Sequence, residues 1–329
     1  MIDIVSNPDK ATWGDFVYTH PQGNIFQTPE MAEVYKNTKN YLPITLGAID
    51  SHSDEIMSLV SATIINEFGG PLYHDNPKGR ESVRLLMKHY DTIAGRSALY
   101  TEIRNLRDTN NSPFPQDYLY EEHLNFLVEL SAGKEKLWKN LSKSRRYGIT
   151  KSSKMGITIH NISSENELET LYFLLKDTYS RARHPIADKS LFNAVYTHLV
   201  PKNLGKIFFA NLENNSIGAI ILLLYKQNIY HWYSCSLNEY SKFYPNDILV
   251  WHALEWGSLN NYSIFDFMGA GKPEQRYGVR EFKRQFGGAM VNYGRYTKIH
   301  SPIKYWIAQQ GHATYKRVGK FIQNDQVHE

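Results

Sequence analysis

The order of helices and strands in the second half of this chain is the feature that most limits its fold. Residues 164–167 read Ser-Glu-Asn-Glu, a capping pattern typical of a helix start, and apolar residues then recur at helical spacing. Further along, apolar runs bounded by turn residues predict strands. After residue 155 the predicted order is therefore strand, helix, helix, strand, strand, strand, helix, strand, with the later elements at residues 188–199, 206–210, 216–225, 228–236, 247–258 and 263–267. Such an order predicts an α/β unit built on a mixed sheet.

A second unit of the same kind is expected before it. The N-terminal part also alternates strands and helices, and the basic stretch Lys134–Lys154 predicts one long polar helix between the two series. The order of the second series matches the GNAT acyltransferase fold, so we predict an α/β protein with two tandem GNAT-like acyltransferase domains. The predicted first domain is residues 1–133 plus 297–329, to which a helix at residues 301–321 returns, and the second is residues 134–296.

Composition excludes several classes of protein. The net charge is only +4, which permits a local basic groove but not a polycation. Cys235 is the single cysteine, so no internal disulfide and no cysteine-based metal cluster can form. The N-terminus lacks the layout of a signal peptide, and the longest apolar run, Ile217–Tyr225, is too short to span a bilayer. We therefore expect a soluble cytoplasmic protein.

Common catalytic and cofactor motifs are missing from the sequence. It has no Gly-x-Ser-x-Gly turn, no His-Glu-x-x-His spacing and no Walker or Rossmann glycine pattern. His231 and His252 are interpreted as core or surface polar residues, and no metal site is predicted. A GNAT enzyme binds acyl-CoA pyrophosphate on a glycine-rich turn before a helix, but residues 237–246 contain no glycine. The similar segment Gln275–Arg280 follows the next strand, and Arg280 stands in place of its second glycine.

The most unusual stretch is Phe265–Gly288, in which a buried strand is followed by glycines and then by basic and aromatic residues. Phe282 and Phe286 alternate with the cations of this region, which are Lys272, Arg276, Arg280, Lys283, Arg284 and Arg295. A cationic, aromatic-flanked surface at the end of a sheet favours a site for an anion or an ester carbonyl.

Several stretches resemble the Fem family of peptidoglycan bridge-forming aminoacyltransferases, which use aminoacyl-tRNA and have a tandem GNAT-like fold. The similar segments occur in the family's order and are residues 23–36, 100–107 (YTEIRNLR), 141–149 (LSKSRRYGI), 178–181 (Thr-Tyr-Ser-Arg) and 266–288, with Phe282-Lys283 and Phe286-Gly287-Gly288. The chain has no heptad run for the coiled-coil arm of the staphylococcal-type members, so it resembles the compact, armless ones. Residues 182–185 also differ from the family's aromatic loop.

Six residues are candidates for the site, and the resemblance implies the roles of Lys36 and Arg181 among them. Lys283 would be the catalytic cation that stabilises an oxyanion. Lys36 and Arg181 would bind acceptor phosphates, while Phe282 and Arg280 complete the substrate-binding set. Tyr233 lies on a strand that faces the expected cleft, where it is a candidate for orienting the donor, and a core tyrosine fits this position equally well. No metal or cofactor is implied. The implied partners are aminoacyl-tRNA and a nucleotide- or lipid-linked envelope precursor, with peripheral membrane contact left open, and we expect a monomer.

Two other functions fit the sequence. The first is an acyl-CoA N-acyltransferase on the same fold, which acts on an envelope or polysaccharide precursor and uses acetyl-CoA as donor. The second is a non-catalytic RNA-binding module, which the basic stretch Lys134–Lys154 would supply. The amino acid, the acceptor and the oligomeric state are not readable from the residues.

Overall fold

One part of the molecule, called here the first half, is built on two four-stranded sheets, whose strands come from before residue 122 except for one near the C-terminal end. The computed structural model describes residues 1–63, 66–109 and 113–310. Strands of these sheets are β1 (Ile2–Ser6), β2 (Pro43–Asp50), β3 (Ile56–Thr63), β4 (Asn66–Phe68), β5 (Leu72–Tyr73), β6 (Tyr100–Arg104), β7 (Leu119–Glu121) and β15 (Arg295–Ile299). Their orders are β1-β2-β3-β5 and β4-β6-β15-β7. The helices of this half are α1 (Lys10–Thr19), α2 (Pro29–Lys36) and α3 (Pro77–Ala94).

The second half is built on one seven-stranded sheet. Its strands are β8 (Leu124–Glu129), β9 (Ile157–Asn161), β10 (Gly205–Leu212), β11 (Asn215–Tyr225), β12 (Asn228–Ser236), β13 (Ile264–Asp266) and β14 (Ala289–Asn292). Its helices are α4 (Gly133–Asn140), α5 (Lys143–Lys154), α6 (Glu167–Arg181), α7 (Lys189–His198), α8 (Pro245–Leu259) and α9 (Gly278–Arg284). The sheet order is β14-β8-β13-β12-β11-β10-β9. The predicted order of elements after residue 155 is confirmed, and with it the α/β fold class.

Strand β11 explains the long apolar run of the sequence. All its residues from Ile217 to Tyr225 are buried, because α6 packs on one face of the strand and α8 on the other. A strand covered on both faces has a nearly continuous apolar sequence instead of an alternating one. No helix among the described residues is long and apolar enough to cross a membrane.

The prediction of one helix over Lys134–Lys154 is wrong, because the structure breaks it into α4 and α5. Leu141 has an extended backbone at the break, and its side chain is buried with only 2% exposed. Ser142 then caps the second helix, since its side-chain oxygen accepts a hydrogen bond of 3.2 Å from the backbone N–H of Arg145. A serine cap and a buried leucine together favour a corner over a continuous helix.

The two halves exchange strands close to the predicted domain limits. Strand β8, which the prediction places in the domain of residues 1–133, pairs with β13 and β14 of the second half. Strand β15, which begins two residues before the predicted limit at residue 297, pairs with β6 and β7 of the first half. The pairing therefore differs from the predicted division at β8, and the domain limits themselves stay a prediction.

Part of the predicted C-terminal helix is observed. Residues 302–310 are helical, and the ring of Tyr305 packs edge-on against Tyr100 of β6, with 5.2 Å between ring centroids. This contact brings the helix to the first half, as expected. The rest of the predicted helix at residues 301–321 lies outside the described residues.

One hydrophobic cluster joins the two halves. Helix α2 of the first half packs against α7 of the second, and both contribute fully buried side chains to the same cluster, among them Met31, Val34, Phe192 and Val195. The backbone N–H of Lys39 also donates to the Ser190 side chain at 2.8 Å. The halves therefore share a common core at this contact.

The seven-stranded sheet opens beside β12. Strands β12 and β13 are parallel and paired only from Asn228 to Tyr230, after which they separate. Just beyond that point β12 has a bulge, since Ile221 opposes Tyr233 and Leu222 opposes His231, so that Trp232 is the extra residue. A bulge changes the faces to which the following side chains point. His231 and Tyr233 consequently point to opposite sides of the sheet.

We predict that Phe192→Ala destabilises both halves together. The ring is fully buried in the shared cluster, and removing such a ring costs about 3–5 kcal/mol. Urea unfolding followed by fluorescence and by limited proteolysis of each half is the measurement. Phe173→Ala on α6 is the matched control, because its ring is 62% exposed. Loss of only the second half in the Phe192 variant would contradict a common core.

Candidate active site

Two adjoining cavities lie where β12 and β13 separate. The interdomain cavity, of about 390 Å³, is lined from the first half by Arg104 and from the second by Tyr233. The α6–α9 cavity, of about 450 Å³, is lined by Thr178 of α6 and Val279 of α9. The residues that line both cavities are Tyr179, His231, Trp232, Tyr277 and Lys283. The two cavities therefore meet at a wall that contains the predicted catalytic lysine.

Lys283 holds the backbone turn that follows β13. Its Nζ donates hydrogen bonds to three consecutive carbonyl oxygens, those of Phe267 at 2.6 Å, Met268 at 3.3 Å and Gly269 at 2.8 Å. Burial lowers the pKa of this amine to about 8, although the carboxylate of Asp266 opposes the shift. The bond to Met268 is the longest of the three, so it is the one that an oxygen of a bound ligand replaces at the lowest cost.

The turn held by Lys283 has a second support. Asp266 is buried, and its Oδ1 accepts hydrogen bonds from Asn125 Nδ2 at 2.7 Å and from the backbone N–H of Met268 at 2.6 Å. Burial raises the pKa of this carboxyl, while the bonds from Asn125 and Met268 oppose the rise. Met268 has a φ of 58°, in the left-handed region that is unfavourable for a side chain of this size. Asn125 and Asp266 were not singled out from the sequence, where only the position of Asp266 at a strand end could have indicated them.

Phe282 is positioned by the start of α5. The Arg145 guanidinium lies over its ring at 4.9 Å, and the same guanidinium donates to Asp247 Oδ1 at 2.5 Å and to Gln285 Oε1 at 2.9 Å. Phe282 also packs against Phe286, with 5.1 Å between ring centroids. Helix α9, which carries Lys283, is thus fixed to α5 and α8 by one arginine, and Phe282 lines the α6–α9 cavity.

Arg280 is directed into the protein. Its guanidinium donates to the carbonyl oxygens of the loop that precedes α9, at Ala270 (3.0 Å), Lys272, Pro273 (2.9 Å) and Gln275 (2.6 Å). These bonds use most of its donors to hold the loop closed. Arg280 therefore shapes a wall of the site, and its direct contact with substrate stays a prediction.

Tyr233 lies in the site, whereas Arg181 and Lys36 lie outside its two cavities. The Tyr233 ring contacts Tyr179 and Phe192 at centroid distances of 5.7 and 5.1 Å and lines the interdomain cavity, where burial raises its pKa. Arg181 donates to Asp177 Oδ2 at 2.9 Å and to the Ser236 carbonyl at 2.5 Å. Lys36 is exposed at the last position of α2.

The interdomain cavity carries excess positive charge. Arg104 and Arg295 both line it, and both pair with the one carboxylate of Glu102, at 2.6 and 3.2 Å. His123 does not add to this charge, because burial and then Arg295 lower its pKa to about 4. Two guanidiniums against one carboxylate favour an anionic ligand, such as a phosphate or a carboxylate.

The turn before α8 does not suit the pyrophosphate of CoA. Tyr244 and Pro245 begin this helix, and proline has no N–H to offer. The N–H groups of Asp247 and Ile248 both donate to the Tyr244 carbonyl, at 3.1 and 3.3 Å. The Asp247 carboxyl is buried beside them, and among the described residues its Oδ2 has no hydrogen-bond partner. A phosphate here would meet occupied donors and a carboxylate.

Three basic residues of Lys134–Lys154 have partners within the second half. Lys134 pairs with Glu255, and Arg145 pairs with Asp247. Arg146 donates to carbonyl oxygens at the end of α4, including that of Lys139 at 3.1 Å. Lys136, Lys139, Lys143 and Lys154 are exposed, so the interpretation of the stretch as an RNA-binding face stays a prediction. A larger cavity of about 870 Å³ lies beside α4, α5 and α8, and none of the predicted site residues lines it.

Comparison with known proteins supports the tandem fold. The family described as an acetyltransferase (GNAT) domain matches residues 136–284. No curated protein sequence matches this chain. The crystal structure of FemX superposes with a TM-score of 0.69 at 15% identity, covering 93% of this chain and 99% of that one.

Two further structures share the arrangement. L-PGS from Bacillus licheniformis has a TM-score of 0.57 at 14% identity, covering 90% of this chain and 93% of that chain. A tandem GNAT protein from the clavulanic acid biosynthesis pathway has a TM-score of 0.59 at 10% identity, covering 92% and 99%. The GNAT family match and this shared fold identify the chain as an acyltransferase with the Fem-like tandem GNAT fold.

Proposed function

We propose that this acyltransferase moves an aminoacyl group from aminoacyl-tRNA to an amine on a cell-envelope precursor of the peptidoglycan type. The observation that carries the proposal is the Lys283 ammonium at the wall shared by the two cavities. One cavity then receives the aminoacyl ester and the other receives the acceptor. The fold shared with FemX supports the same reaction, as does the resemblance of the Phe282-Lys283 segment to the Fem family.

The reaction is aminolysis of an ester. The acceptor nitrogen attacks the ester carbonyl carbon, a C–N bond forms, and the carbonyl oxygen becomes an oxyanion. The C–O bond to the tRNA ribose then breaks, and the ribose hydroxyl leaves with the proton that the amine gives up. Lys283 stabilises the oxyanion with a hydrogen bond from Nζ. This bond replaces the 3.3 Å hydrogen bond from Nζ to the Met268 carbonyl oxygen. An α-amine has a pKa near 8, so it is partly neutral at pH 7 and needs no strong base.

The acceptor is proposed to carry phosphate. Arg104 and Arg295 give the interdomain cavity its positive charge, and Lys36 and Arg181 are proposed as further phosphate contacts on the resemblance to the Fem family. A nucleotide-linked precursor and a lipid-linked precursor both present a pyrophosphate, which arginine can hold through two parallel hydrogen bonds. Aminoacyl-tRNA is made in the cytoplasm, so the proposed reaction takes place there, with a monomer as the proposed active form.

Acetyl-CoA is the alternative donor, because the matched family is described as an acetyltransferase domain. The occupied donors of the turn before α8 and the buried Asp247 disfavour it. The test offers the purified full-length protein bulk tRNA charged with radiolabelled amino acids, or radiolabelled acetyl-CoA. Each donor is supplied with nucleotide-linked or lipid-linked muropeptide precursor. Label in the precursor from charged tRNA supports the proposal, and label only from acetyl-CoA overturns it.

We predict that Lys283→Met lowers kcat by about a hundredfold or more while the protein stays folded, because one oxyanion donor is lost. The measurement is transfer by purified protein at saturating donor, together with its melting temperature. Lys272→Met is the matched control in the same segment, because Lys272 pairs with Glu121 outside both cavities. A Lys283 variant that turns over like the wild type would show that the amine only supports the turn.

We predict that kcat/KM declines as the pH rises through about 8. The pKa of Lys283 is about 8, so the catalytic cation is present below that pH and is lost above it, at a limit of about tenfold per pH unit. As the pH rises, the acceptor amine loses its proton and becomes nucleophilic, which raises kcat/KM. The full dependence of kcat/KM on pH is therefore bell-shaped. Lys283→Arg should lose the descending limb, since its guanidinium stays charged. An unchanged descending limb in that variant would contradict the assignment.

We predict that Lys36→Ala and Arg181→Ala each raise the acceptor KM about tenfold with little change in kcat, as expected for uniform binding. Added salt should weaken acceptor binding by the wild type and reduce the difference between wild type and variants, because phosphate contacts are screened. Arg181→Lys controls for the contact of Arg181 with the Ser236 carbonyl. Equal KM values for the variants and wild type across all salt concentrations would remove both residues from the acceptor site.

A further inference from the structure

His231 is a buried histidine on β12 that the proposed mechanism leaves without a role. It lies immediately before the bulge at Trp232 and is 7% exposed. Its ring packs against Phe265 and Phe267, with centroid distances of 5.9 and 5.7 Å. It also lines both cavities, together with Lys283. A polar ring is therefore placed where the two proposed substrates meet.

The two ring nitrogens of His231 are in different surroundings. Nδ1 is sealed inside the protein and, among the described residues, has no hydrogen-bond partner. The described residues also supply no hydrogen bond to Nε2, which is not sealed in the same way. Buried polar groups are normally paired, and an unpaired one in a native structure calls for an explanation. Nε2 is thus the nitrogen that remains for a ligand in the cavities.

The surroundings of His231 also determine the protonation state and the tautomer of its ring. Burial, and then the neighbouring Lys283 ammonium, lower the pKa of His231 to about 3, so the imidazole is neutral and has one N–H. A buried N–H without an acceptor is rarer in proteins than an acceptor without a donor. The lone pair therefore belongs on the sealed Nδ1 and the proton on Nε2.

We propose that His231 is a second catalytic donor, whose Nε2–H binds the carbonyl oxygen of the acyl group under attack, beside the Lys283 ammonium. The inference rests on the proposed function. As the C–N bond forms, the carbonyl oxygen gains negative charge and both hydrogen bonds strengthen. His231 keeps its proton throughout, because the proton of the amine leaves with the ribose hydroxyl. A neutral imidazole is suited to this role, since it polarises a carbonyl without adding a second buried charge.

The first test reads the tautomer and needs no substrate. Nitrogen-15 NMR of the full-length protein at pH 7, with His231→Gln to assign the signals, should show Nε2 protonated and Nδ1 unprotonated. A proton on Nδ1, or on both nitrogens, overturns the proposal. This result does not depend on the donor or on the acceptor, so it stands even if the proposed aminoacyl transfer fails.

The second test distinguishes the effect of the Nε2–H donor from the effect of the shape of the ring. His231→Phe keeps a ring and removes the donor, and it should lower kcat about a hundredfold with the acceptor KM within about twofold of wild type. His231→Gln keeps an N–H and should retain kcat within about tenfold. The assay uses bulk radiolabelled aminoacyl-tRNA with nucleotide-linked muropeptide, and melting temperatures check the fold.

The outcomes distinguish the two proposals. If His231→Phe turns over like the wild type, or if both variants lose activity equally while folded, His231 is not a donor. If His231→Phe fails to fold, the glutamine variant and the NMR result still decide the matter. If the wild type transfers nothing from aminoacyl-tRNA, the proposed function is wrong, and the same variants are then compared with acetyl-CoA as donor.

Discussion

Packing of α2 against α7 is the interaction on which the rest of the structure depends. It buries apolar side chains of both halves in one cluster, and each half would expose those side chains if it stood alone. This packing sets the distance between the two halves, and so it sets the width of the interdomain cavity. Arg104 from one half and Tyr233 from the other can then line the same space. A binding site made from two halves needs such a contact, because a mobile hinge would not hold the lining side chains at a constant distance.

Burying an ammonium group loses solvation free energy, and hydrogen bonds to backbone carbonyl oxygens offset that loss at Lys283. The Lys283 amine sits among three carbonyl oxygens and near the Asp266 carboxylate. In return it holds Met268 in a left-handed conformation that the residue would not adopt freely. Preorganisation of this type places charge at the reacting atoms before substrate arrives, so little reorganisation is needed during the reaction.

Local pattern was enough to predict much of this fold and part of the site. The order of elements after residue 155 follows from periodicity and turn residues, and Lys283 and Phe282 stand in a stretch of unusual composition. The corner at Leu141 was missed because it depends on a leucine being buried by distant residues. The inward direction of Arg280 and the partners of Asp266 could not be predicted for the same reason, since they are long-range contacts. His231 was taken for an ordinary polar residue, and only its two unlike nitrogens and the adjoining cavities indicate otherwise.

The strand exchange between the halves has a consequence for how such a protein can arise. The GNAT family match covers residues 136–284, yet β8 lies before that segment and β14 lies after it, and both extend its sheet. A piece of chain cut at the limits of the match would leave the edge of β13 unpaired, and exposed edges invite aggregation. The segment is therefore not a portable module that recombination could move into another protein.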